Sequence, residues 1–161
     1  MDNISEQISF LLNEKVIRIE KILGGMTNVN YKVTTNISCY VLRIPDAASN
    51  LLVNRIEEKE VLSSLKGLNL DVETVFFCAK TGWKITRFVN NQFPNYIHPI
   101  ERIKIASNLL KKLHHSNIIF KNKFSIIEKI NFYEELMIKR AISFEPDYIY
   151  YKKKLKIYAS N

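Results

Sequence analysis

Hydrophobic and polar residues alternate over several short stretches of the chain, with the two-residue period of β-strands. Strands are predicted at 16–23, 29–35, 39–44, 72–78 and 83–89. Turn residues follow the first strand at Gly24-Gly25, follow the second at Thr35-Asn36 and join the last two at Thr81-Gly82. The first three strands are therefore expected to form an antiparallel meander, and the last two add a further pair.

Other stretches place apolar residues every three to four positions, which is the period of an amphipathic helix. Helices are predicted at 3–12, about 50–66, 100–115, 125–143 and 147–158. In the second of these, Ile56, Leu62 and Leu65 mark the expected buried side, and Gly67 is the expected stop. The stretch 90–99 is polar and contains two prolines, so it is predicted to be a linker.

The composition is that of an ordinary globular protein. With 161 residues, 47% of them hydrophobic and 25% charged, the chain suffices for one domain or lobe, which excludes wholesale disorder and collagen-like or repeat architectures. No apolar run approaches the ~20 residues of a membrane span, and residues 1–6 show no signal-peptide pattern. Two cysteines, Cys39 and Cys78, make no disulfide framework, so a cytoplasmic location is expected.

The whole chain has a formal net charge of +8, and most of this positive charge lies in residues 101–161. Residues 1–100 hold 11 basic and 10 acidic side chains, whereas residues 101–161 hold 13 basic and 6 acidic ones. A basic surface favours an anionic partner, which could be nucleic acid, a membrane surface, a nucleotide or the rest of the protein. Charge alone does not choose among these partners.

Three features could carry chemistry, and each has a plain structural alternative. The segment Gly24-Gly25-Met26-Thr27-Asn28 lies between two antiparallel strands, where a glycine hairpin can fold over a phosphate group; the alternative is a tight turn. Arg43 lies inside an apolar strand, so it needs an anionic partner or, as an edge residue, a path to solvent. Glu58 shares a helix face with apolar residues, and its alternative is a solvated border position.

The order of these features is more specific than any one of them. A glycine hairpin, a strand cation and an inward helix carboxylate follow one another, and two strands, a linker and helices come after them. This is the layout of a kinase-type nucleotide-binding lobe, in which the strand cation holds the nucleotide phosphates and the carboxylate orients the cation. Arg43 and Glu58 are therefore predicted to form an ion pair.

Five stretches of the sequence match one family in content and in order. They are Leu23-Gly-Gly-Met-Thr-Asn-Val-Asn-Tyr-Lys-Val33, Tyr40-Val-Leu-Arg-Ile-Pro45, Asn54-Arg-Ile-Glu-Glu58, Thr81-Gly-Trp-Lys-Ile-Thr-Arg-Phe-Val89 and Leu110-Lys-Lys-Leu-His114. Over residues 15–135 the chain resembles the N-terminal lobe of bacterial choline/ethanolamine kinases, which are relatives of the aminoglycoside phosphotransferases.

The resemblance implies an α+β fold with a protein-kinase-like N-lobe, made of a five-stranded antiparallel sheet plus one helix. The C-terminal helices of an incomplete C-lobe would follow. The chain would then divide into a nucleotide-binding lobe at 1–89, a hinge or linker at 90–99 and helices at 100–161.

The resemblance also implies a reaction and a set of site residues. Family members use ATP and Mg²⁺ to phosphorylate the hydroxyl group of choline or a similar small amino alcohol. The glycine loop would cover the ATP phosphates, Glu58 would pair with Arg43, and the backbone of the hinge 85–89 would meet the adenine. The implied cofactor-binding residues are Gly24, Gly25, Thr27, Asn28, Arg43, Glu58, Arg87 and Val89.

One part of the family pattern is missing from the sequence. Family members continue with a catalytic loop His-Asn-Asp-x-x-x-x-Asn and then an Asp that binds magnesium, and neither occurs in the 161 residues. The segment His114-His115-Ser116-Asn117 contains no Asp and lies at a predicted helix end. We therefore expect no catalytic or metal-binding residue in this chain, magnesium ligands in an absent C-lobe, and little or no activity of the chain alone.

Two other functions stay open at this point. A truncated relative could bind nucleotide or a protein partner without catalysis, and the apolar faces of the helices at 125–143 and 147–158 could then pair in a homodimer. A nucleic-acid-binding module would use the basic residues of 101–161. No RNA- or DNA-binding motif occurs there, so a nucleic-acid partner is not expected.

Overall fold

The computed structural model describes residues 2–24, 27–90, 98–121 and 124–159. The chain divides into two compact units, residues 1–120 and 121–161. The first unit holds the strands β1 Val16–Ile22, β2 Asn28–Thr35, β3 Cys39–Pro45, β4 Thr74–Phe77 and β5 Lys84–Arg87 and the helices α1 Asp2–Leu12, α2 Ala47–Leu52, α3 Arg55–Ser64 and α4 Pro99–His114. The second unit holds α5 Ile126–Lys139 and α6 Tyr148–Ala159.

Most of the predicted linker, residues 91–97, lies outside the described residues, and the predicted lobe boundary there stays a prediction.

The five strands form one antiparallel sheet, as predicted, in the order β1-β2-β3-β5-β4. The first three strands are the expected meander, and β5 lies between β3 and β4. The register pairs Arg43 with Asn30 on one side and with Lys84 on the other. These three residues form a row across the sheet, the polar row, and they point to one face because directly paired residues do so.

The opposite face of the sheet carries the hydrophobic core. The buried core residues are Ile8, Val33, Tyr40, Leu42 and Ile85. Four of them come from β2, β3 and β5, and Ile8 comes from α1, which packs onto this face. Because side chains alternate along a strand, Leu42 and its neighbour Arg43 point to opposite faces. The sheet therefore keeps an apolar face under α1 and a polar face opposite.

The prediction of a single helix at about 50–66 is wrong, because α2 ends at Leu52 and a separate helix, α3, begins at Arg55. Val53 is extended between them, with φ −119° and ψ 123°. The Asn54 side chain then accepts hydrogen bonds from the backbone N–H groups of Ile56 and Glu57, which starts a new helix. Because α3 begins as a separate helix, its buried side differs from the predicted one. Ile56, which was predicted to be buried, is 66% exposed.

The helices predicted in the last part of the chain are confirmed as α4, α5 and α6. In the second unit, the Glu134 carboxylate of α5 accepts a hydrogen bond from the Tyr148 hydroxyl of α6 over 2.9 Å and forms an ion pair with Lys152. The ring of Phe144 stacks on Tyr148, with centroids 4.9 Å apart. These contacts hold α5 and α6 together. Among the described residues, no helix combines the length and apolar character that crossing a membrane requires.

Candidate functional site

Arg43 and Glu58 form the ion pair that the sequence predicted. Nη2 of Arg43, on β3, lies 2.6 Å from Oε1 of Glu58, on α3. The two side chains are 23% and 19% exposed, so water screens their attraction less than at the open surface. The pair joins α3 to the polar row at its central residue. The role of both residues towards a nucleotide stays a prediction.

A second arginine, Arg55, also binds Glu58, and the sequence patterns did not reveal it. Its Nη1 lies 2.6 Å from Oε2 of Glu58, and its Nη2 donates to Oγ of Ser49 on α2 over 2.7 Å. The Arg55 side chain is only 8% exposed. The three-residue spacing of Arg55 and Glu58 on one helix was the available signal. Each oxygen of Glu58 therefore serves a different arginine.

The two arginines determine the charge state of Glu58. Burial alone would raise the pKa of this carboxyl group. Hydrogen bonds from Arg55 and Arg43, together with their positive charges, outweigh burial, and the pKa of Glu58 is lowered. Glu58 is therefore ionised at neutral pH, and its negative charge compensates the positive charge that Arg43 brings into the sheet.

Gly82, in the turn before β5, leaves room for Arg55. Its φ is +73°, in the left-handed region that favours glycine. A Cβ at this position would lie 2.9 Å from Nε of Arg55 and 2.7 Å from Cγ of Pro45, closer than real Cβ atoms come to their neighbours. The turn that the sequence predicted as a strand connection therefore also packs against the arginine of the site.

The glycine loop before β2 is described in part. Gly24 has φ +110°, whereas Gly25 and the residue after it lie outside the described residues. The carbonyl oxygen of Thr27 accepts a hydrogen bond from the backbone N–H of Asp46 over 3.2 Å, which ties the loop to the end of β3. The Asn28 amide donates to Oγ1 of Thr27 over 3.1 Å, and Oδ1 of Asn28 is buried with no hydrogen-bond partner in the described parts of the chain.

Two further cations lie on the polar face of the sheet. Lys84 is the β5 neighbour of Arg43, and its Nζ lies 3.8 Å from a carboxylate oxygen of Asp71. Lys32, on β2, shares this face by strand alternation, and its Nζ lies 4.4 Å from the centre of the Phe88 ring. Three cations, Arg43 included, therefore lie on this face, and each has a carboxylate or an aromatic ring beside it.

The end of β5, where the hinge is predicted, is only partly available to a ligand. The backbone N–H of Arg87 donates to the carbonyl oxygen of Glu73 over 3.0 Å and so remains within the sheet. The Arg87 guanidinium donates to the Tyr40 hydroxyl over 2.9 Å and to the Glu73 carboxylate over 3.3 Å. Val89 is exposed, and its backbone N–H donates to no other described residue. The predicted contact with adenine would therefore use the Arg87 carbonyl and the Val89 N–H.

No group of three or more histidine, cysteine, aspartate or glutamate side chains in the described ranges is placed to hold a metal ion. Two histidines have local contacts: Nδ1 of His98 accepts a hydrogen bond from the backbone N–H of Ile100, and Nδ1 of His115 lies 2.7 Å from the Lys111 carbonyl oxygen.

The chain is similar to known proteins over most of its length. No protein-family profile matches it. A curated relative, protein LicA of Haemophilus influenzae, is 31% identical over 147 residues, which are 88% of this chain and 42% of the relative. The crystal structure of choline kinase LicA from Streptococcus pneumoniae is 30% identical, with a TM-score of 0.67 over 84% of this chain and 48% of that one.

A second similar structure is that of LicA in complex with AMP. It is 29% identical, with a TM-score of 0.71, and the match covers 94% of this chain and 53% of that one. This chain thus spans about half the length of the proteins it matches. Its antiparallel sheet and helices form the kinase-like fold of these neighbours. In both sequence and fold, the chain is therefore similar to the choline kinase LicA, of which it matches one part.

Proposed function

We propose that this chain forms the nucleotide-binding part of a kinase that uses ATP to phosphorylate the hydroxyl group of choline or a similar small amino alcohol. The ion pair of Arg43 and Glu58 carries the proposal, because kinase-type lobes present a strand cation to the nucleotide phosphates and hold it with a helix carboxylate. The similarity to choline kinase LicA supports the same function, as does the AMP complex of the similar LicA structure.

The chemistry of the site fits a polyphosphate. A guanidinium group has five N–H donors, and Glu58 accepts a hydrogen bond from one nitrogen of Arg43. Lys84 and Lys32 add positive charge on the same face of the sheet. The buried Asn28 amide suits this ligand as well. With its oxygen and nitrogen exchanged, Asn28 would accept from Thr27 and present its NH2 group to a phosphate oxygen.

Each part of the site would have its own role towards ATP. The glycine loop would cover the phosphates, since glycine allows close backbone approach and the Thr27 and Asn28 side chains add polar groups. The Arg87 carbonyl and the Val89 N–H would hydrogen-bond to the adenine edge. ATP would therefore lie along the polar face, with its base at the end of β5 and its phosphates at Arg43.

Phosphate transfer needs groups beyond this site. The 161 residues contain no His-Asn-Asp catalytic loop, and no magnesium ligand set occurs in the described ranges. We expect the 161-residue polypeptide alone to bind nucleotide without transferring phosphate to choline. The magnesium ions and the amino alcohol would then be held mainly by residues outside it.

A second candidate function is binding of nucleotide or of a protein partner without catalysis. The second unit exposes several large apolar residues, namely Ile126, Tyr133, Ile138, Ile149, Tyr151 and Tyr158. Such a surface suits packing against a second copy or another domain. Sedimentation of the polypeptide separates packing against a second copy from packing against another domain, because a homodimer would indicate pairing through α5 and α6.

We also propose a cytoplasmic location for the protein, where the free thiols of Cys39 and Cys78 would stay reduced.

Calorimetric titration of the polypeptide with ATP and magnesium tests the proposed function. Saturable binding that Arg43→Met weakens about tenfold or more would support it. The matched control is Arg18→Met, because Arg18 lies on the same sheet, pairs with Glu20 at 2.9 Å and is exposed. No binding by a folded wild-type chain would overturn the proposal, and so would equal weakening by the two variants.

A further inference from the structure

We propose that Arg55 is a positioning residue, which keeps Arg43 available to nucleotide phosphates by occupying one oxygen of Glu58. The inference rests on the proposed function, because it concerns how the phosphate-binding cation of that site is held. Its basis is the arrangement of three charged groups: one carboxylate lies between two guanidinium groups, each 2.6 Å away.

The contact between Arg43 and Glu58 uses one oxygen and one nitrogen. A guanidinium and a carboxylate that meet alone commonly form two parallel hydrogen bonds, since their planar geometries match. Here Arg55 occupies Oε2 of Glu58, so only Oε1 is left for Nη2 of Arg43. Nε of Arg43 is buried and has no hydrogen-bond partner among the described atoms. Arg43 is therefore held at one end and retains donors for a further acceptor.

Arg55 is itself held by the surrounding fold. It is the first residue of α3, its Nη2 donates to Ser49 of α2, and Gly82 packs against its Nε. Its orientation is therefore set by three separate segments of the chain and does not depend on a ligand. A group fixed in this way can set the position of the Glu58 carboxylate before ATP arrives.

Direct binding of ATP by Arg55 does not fit the geometry. Its side chain is 8% exposed, and its two terminal nitrogens already donate to Glu58 and Ser49. Its Nε is buried beside Gly82 and, like that of Arg43, has no hydrogen-bond partner in the described ranges. Any effect of Arg55 on nucleotide binding is therefore expected to pass through Glu58.

A double-mutant cycle on nucleotide binding tests this inference. ATP with magnesium is titrated into the wild-type chain, Arg55→Met, Glu58→Gln and the double variant, and circular dichroism checks that each is folded. We expect Arg55→Met to weaken binding about tenfold in the wild-type background and less than about twofold in the Glu58→Gln background. Equal weakening in both backgrounds, or no weakening in either, would overturn the inference.

A second measurement separates this inference from the proposed function. Carbon NMR of the Glu58 carboxyl group reports its pKa without any nucleotide. We expect Arg55→Met to raise that pKa, because the hydrogen bond from Arg55 is lost while Glu58 stays partly buried. An unchanged pKa would contradict the positioning role. A raised pKa in a chain that does not bind ATP would overturn the proposed function and leave Arg55 as the residue that positions Glu58.

A conservative variant keeps the test usable if Arg55→Met does not fold. Arg55→Lys retains the charge and most of the stem, but one ammonium group lacks the planar fork that reaches Glu58 and Ser49 together. We expect Arg55→Lys to bind ATP less tightly than wild type and more tightly than Glu58→Gln. Binding equal to wild type would show that the charge of Arg55 alone suffices, against the inference.

Discussion

Gly82 and Arg55 lie so close together that a Cβ on the glycine would be 2.9 Å from Nε of the arginine. The turn before β5 therefore limits where the Arg55 guanidinium can lie, although the two residues are far apart in the sequence. Because Arg55 also binds Glu58, the packing of this turn reaches the ion pair on the polar face.

Gly82→Ala should destabilise the fold more than a glycine substitution at an open position. The added methyl group meets Arg55 and Pro45 and also strains a backbone with φ +73°, so we expect a loss of about 2–4 kcal/mol in the free energy of unfolding. Urea denaturation measures this loss. Gly67→Ala is the control, because Gly67 has φ +88° with nothing within 4 Å, and about 1 kcal/mol is expected there. Equal losses would show that the contact with Arg55 is unimportant.

Glu58→Gln should make the fold less sensitive to acid. Burial raises the pKa of Glu58, and hydrogen bonds from Arg55 and Arg43 lower it further than burial raises it, so the folded-state pKa is lowered. The ionised carboxylate therefore stabilises the fold above its unfolded pKa of about 4.3, and this stabilisation is lost as the pH falls through the folded-state pKa.

The measurement is the free energy of unfolding between neutral and acidic pH. At pH 7 we expect Glu58→Gln to be less stable than wild type by about 1–3 kcal/mol, and the difference should shrink as the solution becomes acidic. Glu20→Gln is the control, since the pair of Glu20 and Arg18 is exposed. A difference that stays constant with pH would contradict the lowered pKa of Glu58.

Tyr40→Phe should cost about 1–3 kcal/mol of stability, because it removes a buried hydroxyl that makes two hydrogen bonds. The Tyr40 hydroxyl donates to Glu14 over 2.6 Å and accepts from Arg87 over 2.9 Å. Thermal unfolding followed by circular dichroism measures the cost. Tyr158→Phe, at an exposed position, should change little, and a similar small change for Tyr40→Phe would argue against the role of its hydroxyl.

Leu42→Ala should destabilise the protein by about 2–5 kcal/mol, because it opens a cavity in the core beneath α1. Leu42 is fully buried and lies among the strands at the centre of the sheet. Ile17→Ala on β1 is the control, since Ile17 is exposed and a loss below about 0.5 kcal/mol is expected. Chemical denaturation compares the two, and a loss as small for Leu42→Ala would place the core elsewhere.

The sheet and the ion pair could be predicted from the sequence because both depend on local periodicity. The apolar pattern of 39–44 placed Arg43 on a strand, and helical spacing placed Glu58 on an inward face of the next helix. Their ion pair could be predicted from these two positions. The strand order did not follow in the same way. That β5 lies between β3 and β4 depends on pairing between distant segments, which no local pattern encodes.

Arg55 and the break before α3 show why the rest was not predicted. Asn54 is a good N-cap residue, but the helical spacing around it favoured one continuous helix. The burial of Arg55 arises from contacts with Ser49 and Gly82, which only the folded chain brings together. The three-residue spacing to Glu58 was the one local signal, but an arginine at the start of a helix usually lies in solvent, so this spacing alone did not place Arg55 in the site.

The two-sided sheet has a consequence for how variants of this protein would behave in a cell. A substitution under α1, at Leu42 for example, lowers the folded fraction and exposes the chain to proteases, so the protein becomes scarce. A substitution of Asn30 or Lys84 leaves that core intact, so the protein would persist at normal abundance with an altered polar face. A substitution in the core under α1 would therefore lower the amount of protein, whereas one on the polar face would change only that surface.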